Sequence, residues 1–524
     1  MTKYKHPFEI VTLNKDALRM TEKLHANQDC SLTRLLQTYL RELDITFKEE
    51  MLKKLMRHLE EYTRPDNSYP NNPCWNDKEV CEAVKILVKE TGCSVHGRVE
   101  GFPYLMLSMP NVQLAEFFIQ EGVQVDEKDQ QGHTCLFHAV EKATGSDSPE
   151  SWYMFITFLL QNKANPNERD NLSETPLLYS LSFRRSLCYF NSSGWPDVPY
   201  QAYGDDSGTR VVKTWRLLLE AKARPNVKDE KDRSLLHVLL SLLQTGCLRS
   251  SEGLEIVYNG IAILQEYGLE INSRDTKGNT ALHLWAILMR TAISDETIKI
   301  GSEIVSHGGA VNSRNDKGDT PFHLLMKEPF LRDDLVEPNL WSRILALGMN
   351  PWIANCDGKC PFEVLLGNES FGSAFTFLKA IFEDDQNRDM AESARRYRNM
   401  SGDYLLHTLC IVNNENVLEI CEYLLDHGCE VNVQNECRQT PLHLLCNKVS
   451  ETDSSLSQQT INFIRLLERY NADMTLSDIY GNTCKDMLSK YQRLKIPKTM
   501  KWISESIVHK AVLSEVVLGK NSQK

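Results

Sequence analysis

Tyr423-Leu-Leu-Asp-His-Gly428, followed by Val431-Asn432 and then by Thr440-Pro441-Leu442-His443-Leu444-Leu445, reads as a helix end, a polar turn and a new helix start. Leu424 and Leu425 are the last apolar residues of a helical stripe, and Gly428 suits a left-handed stop. Thr440 is a helix-capping residue able to accept a backbone N–H bond. Pro441 takes the first helical position, where its missing N–H costs nothing. Leu442 then opens the next apolar stripe.

The same phrase recurs along the chain. Near copies are Gly318-Asp-Thr320-Pro321-Phe322-His323 and Gly278-Asn-Thr280-Ala281-Leu282-His283. Ser234-Leu235-Leu236-His237 is looser, and Thr175-Pro176-Leu177-Leu178 lacks the histidine. Gly358-Lys-Cys360-Pro361-Phe362-Glu363, Gly402-Asp-Tyr404-Leu405-Leu406-His407 and Gly481-Asn-Thr483-Cys484 have drifted further. In Thr134-Cys135-Leu136-Phe137 the histidine comes one step late, at His138. A glycine two residues before the threonine position suits a tight turn with positive φ. Counted at that position, the copies stand at 134, 175, 234, 280, 320, 360, 404, 440 and 483, so the intervals are 41, 59, 46, 40, 40, 44, 36 and 43.

The pattern resembles the ankyrin repeat over roughly residues 95–490. Nine copies in order make the family specific where one alone would not. The resemblance implies an all-α ankyrin-repeat solenoid of about nine or ten units. It also implies that the motif histidine bridges the turns of adjacent repeats. Against the family period of about 33 residues every interval is long, so the repeats are elongated and irregular. The extra residues fall at 143–151, 183–210, 250–253 and 450–457, where they would lengthen helices or form loops. Phe102-Pro103-Tyr104-Leu105 reads as a degenerate earlier unit whose second helix is 112–122.

Residues 1–94 read as an N-terminal helical cap or small helical domain. In it 31–62 would form two amphipathic helices, the second opened by the capping box Thr46 and Glu49. Residues 65–76 would be a linker and 77–89 a further helix. At the other end, 491–524 would hold a C-terminal capping helix, over 500–518, and a tail.

With 59 basic and 71 acidic residues the net charge is −12, which argues against a general nucleic-acid or anionic-membrane binder. Met1-Thr-Lys-Tyr-Lys-His-Pro7 lacks a long apolar run and so does not read as a secretory leader, and no stretch approaches the apolar length of a bilayer span. The 15 cysteines are scattered rather than patterned as a disulfide scaffold, which suits reduced thiols in cytosol or nucleus. Phosphate loops, dinucleotide fingerprints, zinc-protease and nucleophile-elbow motifs are missing, so the chain is expected to be no enzyme, with no cofactor and no metal. Cys356-x3-Cys360 has ligand spacing but lacks a matched second pair.

Binding is therefore expected to lie on the surface of the stack. The insert 183–210 carries Tyr189, Phe190, Trp195, Tyr200 and Tyr203, residues that either anchor an interface or fold back over the helices below. The finger turns offer Arg274, Asp275, Arg314, Asp316, Gln434 and Asn435, alongside Lys128, Asp129, Arg169, Asp170, Lys228 and Asp229. These residues mix both signs, as a protein partner would require. Asn432, after Glu430-Val431 and eight residues past Leu424, resembles the ankyrin asparagine accepted by an oxygen-dependent hydroxylase. Asn272 repeats that setting with Leu264, Glu270 and Ile271; the alternative is an asparagine that simply closes the turn. Basic clusters at 395–398 and 485–501 read as solvated faces.

The expected role is a scaffold or adaptor for a protein partner, the chain itself being monomeric. Two alternatives are a substrate-recognition adaptor in ubiquitin-dependent degradation and the recognition module of a larger helicase-like system. The second rests on a weaker resemblance to the ankyrin region of the TPR and ankyrin repeat-containing protein.

Overall fold

A computed structural model describes residues 48–53, 55–56, 77–145, 149–181, 207–245, 250–291, 293–327, 339–368, 370–412, 416–451 and 458–487. The first expected N-terminal helix, the linker 65–76, residues 183–206 of the aromatic insert and the closing helix 500–518 lie outside these residues. Residues 48–53 and 55–56 are helical, with Met51, Leu52, Leu55 and Met56 buried. The chain folds as two compact units, Met1–Thr276 and Lys277–Lys524.

In the first unit the helix Asp77–Thr91 is followed by a minimal antiparallel hairpin, Arg98–Val99 with Phe102–Pro103. Then come helices Tyr104–Leu107, Val112–Gln120, Cys135–Gly145, Glu150–Gln161, Ser207–Glu220, Leu235–Gln244 and Ser250–Glu266. Cys135–Gly145 packs beside its partner Glu150–Gln161, and Leu235–Gln244 beside Ser250–Glu266. Some of the extra residues are absorbed as helix: 250–253 form the first turn of the 17-residue helix Ser250–Glu266.

The second unit shows the two rows of a repeat stack. First helices touch first helices: Ala281–Thr291 packs on Pro321–Met326, and Pro321–Met326 on Pro361–Gly367. Leu405–Ile411 likewise packs on Pro441–Glu451. Second helices form the other row, Leu340–Leu345 on Phe371–Phe382, then Asn416–Asp426, then Gln458–Arg469. The structure is thus the all-α repeat fold that the period predicts.

One element has no counterpart in the sequence reading. Between Phe382 and Tyr404 the chain makes a 3-10 turn, Asp385–Asn387, and a further helix, Arg388–Arg396. Ala391 and Ala394 are buried, and the Trp352 indole donates to the Met390 carbonyl at 3.1 Å. Arg395 there is no free surface charge, because its Nε donates to the His427 carbonyl at 2.9 Å and its guanidinium pairs with Glu392.

The core is apolar and tightly fitted. Trp215, Trp285 and Trp341 are each at most 1% exposed, and each indole N–H still finds an oxygen acceptor: Ser180 Oγ at 2.7 Å, the Thr297 carbonyl at 2.6 Å and Thr376 Oγ1 at 3.2 Å. A buried donor left unpaired would destabilise the fold by about 1–3 kcal/mol, so these bonds fix where each ring sits.

Candidate protein-interaction surface

The finger turns are built from one repeated device. Five residues before the threonine position stands Asp or Asn, whose Oδ1 accepts two backbone N–H bonds, from the second and fourth residues on. In Asn315 these come from Lys317 and Asp319, both at 3.0 Å; in Asp170, from Leu172 and Glu174 at 2.9 and 2.8 Å. This Asx turn needs a left-handed residue two before the threonine, and Gly132, Gly278, Gly318, Gly358, Gly402 and Gly481 all supply it. Where glycine is absent, Ser173, Asp232 and Arg438 adopt the same conformation, with φ of 61°, 54° and 55°.

Neighbouring fingers are joined by backbone bonds: Asn171 N to Gln131 O at 3.0 Å, Cys356 N to Lys317 O at 3.1 Å, and Ile479 N to Cys437 O at 3.0 Å. Side chains add to the ladder. Asn355 Nδ2 donates to Asp319 Oδ1, and Asn435 Nδ2 to Asp403 Oδ1, both at 2.7 Å.

At His283, His323 and His407 the motif histidine does what the resemblance implies, whereas His443 Nε2 has no hydrogen-bond partner among the described residues. His323 Nδ1 accepts the Thr320 N–H at 3.0 Å, lies 2.8 Å from the Thr320 hydroxyl, and its Nε2 donates to the Lys359 carbonyl of the next turn at 3.0 Å. His283 and His407 repeat the bridge, to Asp319 O at 3.0 Å and Gln439 O at 2.8 Å. In these units the cap bond therefore runs from the threonine-position N–H to the histidine. At Thr483 the expected direction is seen, its Oγ1 accepting the Asp486 N–H at 3.1 Å. Burial pushes the His323 and His407 imidazoles below their ordinary value, the acceptor carbonyls pulling only partly the other way.

Where the histidine is lost, Glu363 takes over. It is buried, accepts the Cys360 N–H at 2.9 Å, and reaches the next unit through the Tyr397 hydroxyl at 2.7 Å and the Thr408 hydroxyl at 3.1 Å. Cys360 is buried and Cys356 exposed. Neither they nor Cys429 and Cys437 join a metal-competent group among the described residues.

The residues expected to touch a partner divide into two kinds. Arg274, Arg314 and Asp316 are exposed and Asp275 half-buried. Gln434 and Asn435 are half-buried and belong to the ladder, Gln434 Nε2 donating to the Arg438 carbonyl at 2.9 Å. Lys128 and Lys228 likewise donate to the backbone of the next finger, at Arg169 O (2.8 Å) and Arg274 O (2.6 Å). Tyr189, Phe190, Trp195, Tyr200 and Tyr203 lie outside the described residues.

Asn432 is exposed, and its amide reaches across to the next unit. Nδ2 donates to Asn471 O at 3.2 Å, and Oδ1 accepts the Asp473 N–H at 2.7 Å. Asn226 and Asn312 do the same one unit on, so this is a repeat feature. Asn272 is also exposed.

Sequence reasoning missed the finger tips themselves. Leu172, Met400, Ile479 and Tyr480 sit at the turns of three fingers and are 56%, 74%, 49% and 80% exposed. A turn is expected to be polar, so an apolar residue at the tip was the available signal. Among the described residues no helix is long and apolar enough to cross a membrane.

A family model described as the ankyrin repeat matches residues 401–436. That stretch is one of the units whose finger, capping histidine and helix pair recur along the chain. Residues 401–436 are thus an ankyrin repeat. Ankyrin repeats generally mediate protein–protein interaction, and the fold is typically a non-enzymatic interaction module. Among solved structures the chain is similar to the ankyrin repeat domain of Bcl-3, described as a unique member of the IkappaB protein family. The identity is 18% and the TM-score 0.34, over 48% of this chain and 92% of that one. None of the curated proteins compared matches the chain.

Proposed function

We propose that the protein is a scaffold or adaptor that holds a partner protein against its finger tips, with the aromatic insert 183–210 as a second contact. The observation that carries this reading is the division of labour in the fingers. Charged and amide side chains such as Lys128, Lys228, Gln434 and Asn435 are occupied in joining one turn to the next, Gln434 through the Ser477 carbonyl. Large apolar side chains stand at the tips, Met400 at 74% and Tyr480 at 80% exposure. Exposed aromatics and methionines held on a rigid frame are favoured interface anchors, since little side-chain entropy is lost when they bind.

The test is affinity capture from a cell extract with three baits: the intact chain, the Met400→Ser/Ile479→Ser/Tyr480→Ser variant, and a chain lacking 187–203. A protein captured by the intact chain and lost at least tenfold with the tip variant supports the finger reading. Loss only with the deletion moves the site to the insert. Equal capture by all three baits removes both.

A further inference from the structure

The unit at Thr134 departs from its neighbours in a way that gathers chemistry. Its motif position holds Phe137, while histidines stand on either side, His133 just before the threonine and His138 one step late. The finger residue Asp129 lies against both. His138 Nε2 is 2.9 Å from Asp129 Oδ2, and His133 Nδ1 is 3.8 Å from the same oxygen. One donor atom from each of the three residues lies within 4.8 Å of the others.

The arrangement leaves a buried atom unsatisfied. His133 is 7% exposed, and its Nδ1 has no hydrogen-bond partner. Its other nitrogen, Nε2, lies 3.3 Å from Asp170 Oδ2, which favours the proton there. Nδ1 is then a lone pair facing a carboxylate oxygen, and a doubly protonated ring would leave its N–H equally unpaired. A buried polar atom without a partner calls for an explanation, and a bound ion is one that fits a lone pair beside a carboxylate.

We propose that Asp129, His133 and His138 bind one divalent cation of the zinc class. Two imidazoles and a carboxylate suit zinc and its borderline neighbours, whereas calcium and magnesium prefer a shell of oxygens. Ligands at about 2.0–2.2 Å in a tetrahedron are about 3.3–3.5 Å apart, between the two separations found. Each carboxylate and ring is already oriented. Asp129 Oδ1 is held by the N–H groups of Gln131 and His133, at 2.8 and 2.9 Å, which leaves Oδ2 free to ligate. The far nitrogens face carboxylates, Asp170 for His133 and, at 3.9 Å, Glu141 for His138, the usual outer partners of ligating histidines. On binding, the His138 proton moves from Nε2 to Nδ1, towards Glu141. The ring of His133 is fixed by stacking on Phe137 and by Tyr179, with centroids 5.1 and 4.7 Å away. The cation would tie a finger to the first turn of the helix Cys135–Gly145, with water as the fourth ligand beside the partly exposed His138.

The test is calorimetric titration of Zn2+ into the full chain after chelator treatment, with Co2+ spectra recorded in parallel. One equivalent is expected, with a visible cobalt spectrum lacking the thiolate charge-transfer band. His133→Asn/His138→Asn should weaken zinc binding at least a hundredfold, and Asp170→Asn about tenfold. Zinc should raise the melting temperature of the unmutated chain and not that of the double variant. Should the double variant not fold, zinc protection of His138 from acylation by diethyl pyrocarbonate in the unmutated chain reads the same site. Unchanged zinc affinity in the folded double variant, no binding by the intact chain, thiolate absorption, or no protection of His138 would each overturn the proposal.

Discussion

At the residue scale, positive φ in the fingers is a demand of the Asx turn, and the residue found there decides what it costs. Gly318 has φ 73°, and a Cβ built on it would stand 2.7 Å from the Cys356 backbone nitrogen of the next finger. Arg438 holds the equivalent place at φ 55° with a side chain that is exposed. Left-handed backbone destabilises an ordinary residue by about 1–2 kcal/mol, partly offset by the greater freedom of glycine in the unfolded chain. Gly318→Ala is therefore expected to destabilise by about 2 kcal/mol or more, adding the backbone clash to the strain. Arg438→Gly should stabilise by about 0.5 kcal/mol. Urea unfolding of both variants checks this, and the same sign for the two would refute the account.

At the element scale, how close two helices of a repeat approach is set by a glycine opposite a tryptophan. Gly301, on Asp295–Ser306, would place a Cβ 2.3 Å from the Trp285 ring on Ala281–Thr291. Between successive units, Gly260 on Ser250–Glu266 would place a Cβ 2.5 Å from Trp215 on Ser207–Glu220. Helix propensity alone would favour alanine at such a site by about 1 kcal/mol. Overpacking a well-filled core destabilises by about 1–3 kcal/mol, and an indole cannot swing aside as a flexible chain can. Gly301→Ala should thus lose about 1–2 kcal/mol net, read as a lower thermal midpoint. A stabilised variant would mean that the helix pair yields easily.

At the scale of the whole molecule, the bridging histidines spread a pH dependence along the repeats. His323 and His407 accept a backbone N–H at Nδ1 and donate from Nε2, so each must be neutral. Their folded pKa values lie below the ordinary value near 6.5. Below that pH the unfolded chain takes up protons that the folded one refuses, so their contribution is complete above 6.5 and declines as pH falls towards the lowered values. His443 runs the other way. Burial lowers it, but the Cys484 thiol and the Asn482 carbonyl outweigh burial and raise it, so its contribution is present in acid and lost as pH rises through the raised value. The urea midpoint is expected to fall between pH 7.5 and 5.5, and to fall less in His407→Gln. An identical fall in that variant would show that the bridge does not titrate.

Period, caps and turn chemistry by themselves determine the repeat. Thr, Pro and Leu in that order can start a helix only one way, and the finger glycines announce positive φ locally. These are short-range constraints, so they are legible in the chain. Tertiary structure alone decided which side chains those turns bring together. The extra helix Arg388–Arg396 exists because Trp352 and the helix Phe371–Phe382 give its alanine face somewhere to pack. Glu363 replaces a histidine because Tyr397 and Thr408 arrive from the next unit. Lys228 and Asn435 look free in sequence yet reach across to neighbouring turns, which leaves Met400 and Tyr480 to meet solvent. Asp129, His133 and His138 span ten residues, and whether their donor atoms converge depends on an Asx turn, a ring stack and Asp170, 32 residues beyond His138. Local chemistry fixes the unit; the register between units places the groups that can bind.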